Sequence, residues 1–133
     1  SLKTISLPFL GAGKYRAFPI SGDSMTPNVK DGSYVIGEYV EHLTQLKNGK
    51  TYVVLTKDDG IVYKRVHQGI KSIELHSDNK FYDPYTVSLH EIIEMWEFRA
   101  AINVEDLEPD EVTNEQLLET IMALKNQQIK PND

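Results

Sequence analysis

A chain of 133 residues is the size of one ordinary domain, and its 12 leucines, 11 isoleucines, 10 valines and 4 phenylalanines suffice for a hydrophobic core. It has no cysteine, which excludes disulfide frameworks, thiolate zinc sites and cysteine nucleophiles; no apolar run approaches the ~18 residues of a membrane span and no signal-peptide pattern opens the chain, so a soluble, cytoplasmic protein is expected. The net charge of −6 lies in the tail, since residues 1–104 carry 12 acids and 12 bases and residues 105–133 carry 8 acids and 2 bases, and a neutral body with an acidic tail is a poor electrostatic match for nucleic acid.

The chain opens on Ser1 rather than Met, the pattern of a processed chain or a piece of a longer one. Strands are expected at Tyr15–Ile20, Ser33–Val40, Lys50–Thr56, Ile61–His67, Ser72–Ser77, Tyr85–Leu89 and Ile92–Ile102. Turn signals separate them at Asp31-Gly32, Asn48-Gly49, Asp59-Gly60 and Asp83-Pro84, and Asp58-Asp59-Gly60 between two β-rich runs is the clearest hairpin. So many short strands, with almost no room for crossover helices, imply a mainly β, antiparallel, barrel-like body over residues 1–104.

Residues 105–133 differ in character. An acidic stretch containing Pro109 reads as a linker, and Thr113-x-x-Gln116 resembles a capping box. Leu117, Leu118, Ile121, Met122 and Leu124 then follow at helical spacing, predicting an amphipathic C-terminal helix. About sixteen residues rarely hold a helix alone in water, so the apolar stripe needs a surface, either the chain's own body or a partner chain.

Chemistry concentrates in two places. A strand runs into Gly22-Asp23-Ser24-Met25, where a short helical turn is expected to start, and Pro27 suits a first helical turn. Ser24 at such a corner lies beside unpaired backbone N–H groups, which favour the negative charge of a tetrahedral acyl-transfer intermediate. A serine there also serves as an ordinary helix N-cap. A serine nucleophile needs a base, and none of the four histidines (His42, His67, His76, His90) has a recognisable catalytic setting. On the strand Ile61–His67, alternation puts Lys64 on the same face as Val62 and Val66. Burial there depresses a lysine pKa; without it, only about 1 lysine in 2,500 is neutral at pH 7. Periodicity alone favours a lysine snorkelling at the sheet rim.

Together, Gly22-Asp23-Ser24-Met25, Lys30-Asp31-Gly32-Ser33-Tyr34-Val35-Ile36 and Tyr63-Lys64-Arg65-Val66 resemble the LexA-like family of self-cleaving repressors, with its phage repressors and UmuD-type proteins. Ser77-Asp78-Asn79-x-x-Tyr82-x-Pro84 and the run Ile92-Ile93-Glu94-Met95-Trp96 are similar to that family's following elements, and the likeness spans roughly residues 15–102. The resemblance implies a LexA/signal-peptidase-type fold carrying a Ser–Lys dyad, with Ser24 as nucleophile, Lys64 as general base and the backbone N–H groups of Asp23 and Ser24 as oxyanion hole. It implies no cofactor and no metal. It implies a homodimer that reaches DNA only through a missing N-terminal helix-turn-helix domain, with a recombinase filament on single-stranded DNA as an inducer, and self-cleavage that relieves repression. The alternative is a non-cleaving dimerisation or effector-sensing module of a transcriptional regulator. A signal-peptidase-like membrane enzyme uses similar chemistry but needs an anchor that this chain does not show.

Some relatives carry a hydroxyl residue two positions before the lysine. Val62 stands there in this chain, so Lys64 is expected to lack that hydrogen-bond partner. Ala12-Gly13 looks like a scissile dipeptide but lies only 12 residues before Ser24, so it reads instead as a turn into the Tyr15 strand, with the scissile bond upstream of Ser1. His76, Asp78 and Asp83 fit neither an EF-hand nor a zinc spacing. Trp96 and Phe98 are expected in the core or on a dimer face, and Asp23 in a turn role rather than as an acid.

Overall fold

A computed structural model describes residues 4–5 and 13–103. The linker and C-terminal helix expected over 105–133, and Ala12 of the candidate dipeptide, lie outside the described residues. Among those described, eight strands form one sheet: β1 Thr4–Ile5, β2 Tyr15–Pro19, β3 Tyr34–Tyr39, β4 Thr51–Thr56, β5 Gly60–Gln68, β6 Ser72–His76, β7 Tyr85–Ser88 and β8 Ile92–Ile102. Single 3-10 turns occupy Leu43–Gln45 and Leu89–Glu91. The strand order is β1-β2-β3-β8-β4-β5-β6-β7, and every pairing is antiparallel. The protein is therefore mainly β, as the strand and turn signals imply. The two-residue β1, paired to Arg16 and Tyr15, is too short to announce itself by alternation.

The chain's most continuous apolar run becomes β4, which lies between β8 and β5 and buries both faces. On one face, Val53 stands beside Trp96 of β8 and Tyr63 of β5, in a cluster completed by Phe18, Val35, Met25 and Val29. On the other, Tyr52 and Val54 join Met95, Val66, Ile73, Leu75 and Val87. Val53 and Val54 are fully buried, each side chain contributing roughly 1.5–3 kcal/mol of transfer free energy. This is why β4 does not alternate: each side chain in turn meets a different core.

Two local features fix the register. The β4–β5 hairpin closes through residues 57–59, with Gly60 at φ 70° and the Asp59 N–H donating to Thr56 Oγ1 at 2.9 Å. Between β3 and β8 the register shifts at Ile36/Gly37, and a Cβ on Gly37 would stand 2.7 Å from the Trp96 Cβ. Only glycine lets β3 approach that ring, which packs edge-on against Phe18 and Tyr39. Trp96 thus fills the core, while Phe98 is half-buried, with its ring centroid 6.2 Å from that of Tyr63.

Candidate active site

The segment between β2 and β3 is pinched at its base. Ile20 N–H donates to Ser33 C=O and Gly32 N–H to Ile20 C=O, at 2.8 and 2.9 Å. Inside that neck, Gly22 adopts φ 87°, and its N–H donates to Asp31 Oδ1 at 2.7 Å. The short helical turn expected at Ser24 is present only as turns and does not continue into a helix. Thr26 N–H bonds Asp23 C=O and Val29 N–H bonds Met25 C=O, giving two linked turns, and the Thr26–Pro27 peptide is cis. The reason is geometric: the chain must be back at Ser33 to begin β3, and Met25 and Val29 are drawn into the core at 2% and 5% exposure. Ser24 is left half-buried beside its anchored neighbour Met25. Among the described residues, the backbone N–H groups of Asp23 and Ser24 meet no acceptor, so both stay available to a ligand.

Lys64 lies on β5 opposite Tyr52, and the register places Val62, its neighbour on that face, opposite Val54. The alternation expected from the sequence holds, and the rim-snorkelling reading does not, because Lys64 is only 8% exposed. Burial pushes its pKa below the ordinary lysine value, and no carboxylate offsets the effect. β6 accompanies β5 only from Arg65 to Gln68, leaving the Gly60–Lys64 half without a strand on that side. A cleft of about 290 Å³ lies along this half, walled by Phe18, Ile20, Met25 and Val62 and lined by both Ser24 and Lys64. The two candidates meet across one space. Lys64 Nζ, however, donates to Ser77 Oγ at 2.8 Å rather than to Ser24.

Ser77 overturns the expectation that Lys64 lacks a hydroxyl partner. It is itself buried, one residue past the end of β6, and it meets the lysine across the sheet instead of from two positions earlier on β5. Residues 77–82 also brace the Ser24 side. Asn79 N–H donates to Ser24 C=O at 2.9 Å, Asn79 Nδ2 to Asp23 C=O at 3.1 Å, and Tyr82 Oη to Asp23 Oδ1 at 2.5 Å. The Asp23 carboxylate holds the Tyr82 proton and raises its pKa, while the Tyr82 ring lies 5.6 Å from Lys64 Nζ. Asp23 thus has the structural role expected of it. Sequence reasoning grouped Ser77, Asn79 and Tyr82 as one motif without a role, because their partners lie 13 to 59 positions away.

Next to Lys64, Arg65 grips Asp78 with two bonds of 2.8 and 2.9 Å, and Asp78 also accepts from Asn28 Nδ2 at 2.7 Å. The guanidinium holds the Asp78 carboxyl below its usual range. Of the three side chains weighed as metal ligands, Asp78 is thereby engaged, and His76 pairs with Glu74 at 2.6 Å. Among the described residues no three such groups converge.

Comparison with known proteins gives this arrangement its class. The Peptidase S24-like family matches residues 3–96. The chain belongs to that family. The family comprises serine peptidases and includes the C-terminal domains of LexA, UmuD and phage repressors, so the resemblance carried by the Gly22–Met25 and Tyr63–Val66 motifs was sound. No curated protein matches the chain. The S24-like motifs fall on the two sides of the cleft, with Ser24 on the β2–β3 segment and Lys64 on β5. No helix among the described residues is long and apolar enough to cross a membrane.

Proposed function

We propose that this S24-like domain is the self-cleaving and dimerising part of a LexA-like transcriptional repressor, with Ser24 as nucleophile and Lys64 as general base. The observation that carries the reading is the buried Lys64, its charge opposed only by desolvation, on the same cleft as the half-buried Ser24. A neutral Nζ takes the Ser24 hydroxyl proton as Oγ bonds to the scissile carbonyl carbon. The carbonyl oxygen becomes an oxyanion, stabilised by the free N–H groups of Asp23 and Ser24. The C–N bond then breaks, and the Lys64 ammonium returns its proton to the departing amine. A water molecule next gives a proton to Lys64 and its hydroxide to the acyl carbon, and Oγ leaves and recovers its proton.

Cleavage in a segment preceding this domain would separate a DNA-reading half from the dimerising half, and a divided repressor no longer presents two readers together. Inducer-controlled cleavage, with a recombinase filament as candidate inducer, and a cytoplasmic setting belong to the same proposal. The bond from Lys64 to Ser77 is compatible with this role, since a neutral Nζ keeps an N–H for Ser77 Oγ while its lone pair is free to accept the Ser24 proton.

The test is intact-mass analysis of the full-length protein between pH 7 and 10, beside Ser24→Ala and Lys64→Ala. Fragments that appear only in wild type and form faster as pH rises are the expected result. Fragments that persist in both variants would remove the dyad. A wild type that stays whole, even with an activated recombinase filament, would leave a fold that only dimerises.

A further inference from the structure

The segment Ser77–Tyr82 touches both sides of the cleft, but its contacts differ in kind. Ser77 meets the ammonium of Lys64, whereas Asn79 meets only main-chain atoms, the carbonyls of Asp23 and Ser24. A trans peptide unit is planar, with its C=O and N–H pointing in opposite directions. Whatever holds the Asp23 carbonyl therefore aims the Ser24 N–H, one of the two free donors beside the nucleophile. Three donors hold that carbonyl: Thr26 N–H at 3.2 Å, Thr26 Oγ1 at 2.9 Å and Asn79 Nδ2 at 3.1 Å. The Thr26 donors belong to the same exposed turn and move with it. Asn79 alone ties the carbonyl to another part of the fold.

Asn79 is itself fully committed. Its N–H goes to Ser24 C=O, its C=O accepts from Tyr82 N–H at 3.2 Å, and its Oδ1 accepts from Phe81 N–H at 3.1 Å. The Phe81 contact also fixes which way the amide faces, because only with Oδ1 toward that N–H does Nδ2 point at Asp23. A side chain with both ends bound has no freedom to release the turn.

We infer that Asn79 is a positioning residue for the oxyanion hole, clamping the Asp23–Ser24 peptide so that the Ser24 N–H faces the reacting carbonyl. This rests on the Ser–Lys reading above. It separates two tasks within one short segment: Ser77 sets the base, and Asn79 sets the electrophile's cradle without touching substrate or proton.

The experiment is the rate of Ser24-dependent self-cleavage against pH in the full-length protein, for wild type, Asn79→Ala, Asn79→Ser and Ser77→Ala, with melting temperatures alongside. Asn79→Ser keeps a short acceptor for the Phe81 N–H and adds no charge, so it preserves the local turn where alanine does not. Loss of an oxyanion-hole donor costs about 10²–10³-fold; a donor misaimed rather than lost is expected to cost about 10–100-fold. In a folded Asn79 variant the high-pH plateau falls by that factor while the inflection stays at the wild-type pH. Ser77→Ala, in contrast, moves the inflection. A plateau within twofold of wild type in a folded Asn79 variant, or an inflection that shifts with it, overturns the inference alone. Absence of Ser24-dependent cleavage in wild type overturns the Ser–Lys reading, and this inference falls with it.

Discussion

The two sides of the cleft are built in opposite ways. Lys64 sits in the middle of a nine-residue strand, its direction set by the β4–β5 register and its surroundings by the core. Ser24 sits on an irregular turn whose neighbours Ser21, Gly22 and Asp23 are exposed, secured by two buried anchors and by residues 77–82. A base gains from burial, because desolvation supplies the neutral form it needs. A nucleophile with an oxyanion cradle must instead leave backbone N–H groups unpaired, which no strand interior allows. The proposed chemistry thus puts one group on regular structure and the other on a turn, and the turn has to be stiffened from outside.

The contrast can be broken most severely at the anchor of the turn. Met25→Ala removes a side chain that is 2% exposed, and a loss of about 2–4 kcal/mol is expected in denaturant titrations. Cleavage should fall more than stability accounts for, because Ser24 is the next residue. The counterpart on the strand side is Tyr52, whose loss would loosen the core without freeing the turn.

The link between the regions is next. Asp78 joins Arg65, adjacent to Lys64, to Asn28 at the far end of the Ser24 segment, and Asp78→Ala is expected to cost about 2 kcal/mol near neutral pH. The Arg65 partner depresses the folded-state pKa of Asp78. Its contribution is therefore complete above the unfolded carboxylate pKa of about 3.9 and disappears as pH falls through the lower folded value. Urea titrations from pH 7 to 2 should show the two proteins converging in that acid window; parallel curves would remove the Arg65–Asp78 pair from the account.

The smallest effect sharpens the comparison from the other side. Lys64→Met replaces a charge that burial disfavours, so the melting temperature should rise at pH 7 while cleavage is abolished. The folded-state pKa lies below the unfolded one, so wild-type stability climbs as pH rises between them, and the advantage of methionine should shrink toward pH 10. A variant that is less stable at pH 7 would mean that Lys64 contributes more through Ser77 than it costs by desolvation.

The strand side was largely legible in the sequence. Alternation along Ile61–His67 put Lys64 with Val62 and Val66, and the register agrees. Asp58-Asp59-Gly60 marked its hairpin, and the expected strand boundaries differ from those observed by at most a residue or so. The turn was not legible in the same way. Pro27 suggested a helix start, but the burial of Met25 and Val29 and the tie from Gly32 to Ile20 decide the path there, and these are tertiary facts. Ser77 and Asn79 carried no local signal of their partners, since hydrogen bonds spanning 13 and 56 positions leave no periodicity to read.

The two-faced strand β4 has a consequence for distance. Val53 belongs to the cluster that anchors Met25, the neighbour of Ser24, and Tyr52 stands beside Lys64 on the opposite face. Both sides of the cleft are therefore measured from the same six residues. One residue inserted into or deleted from Thr51–Thr56 would exchange the two faces and move both side chains at once, in opposite senses. The spacing between Ser24 and Lys64 is a property of that single register, and a length change that a loop would absorb is not tolerated here.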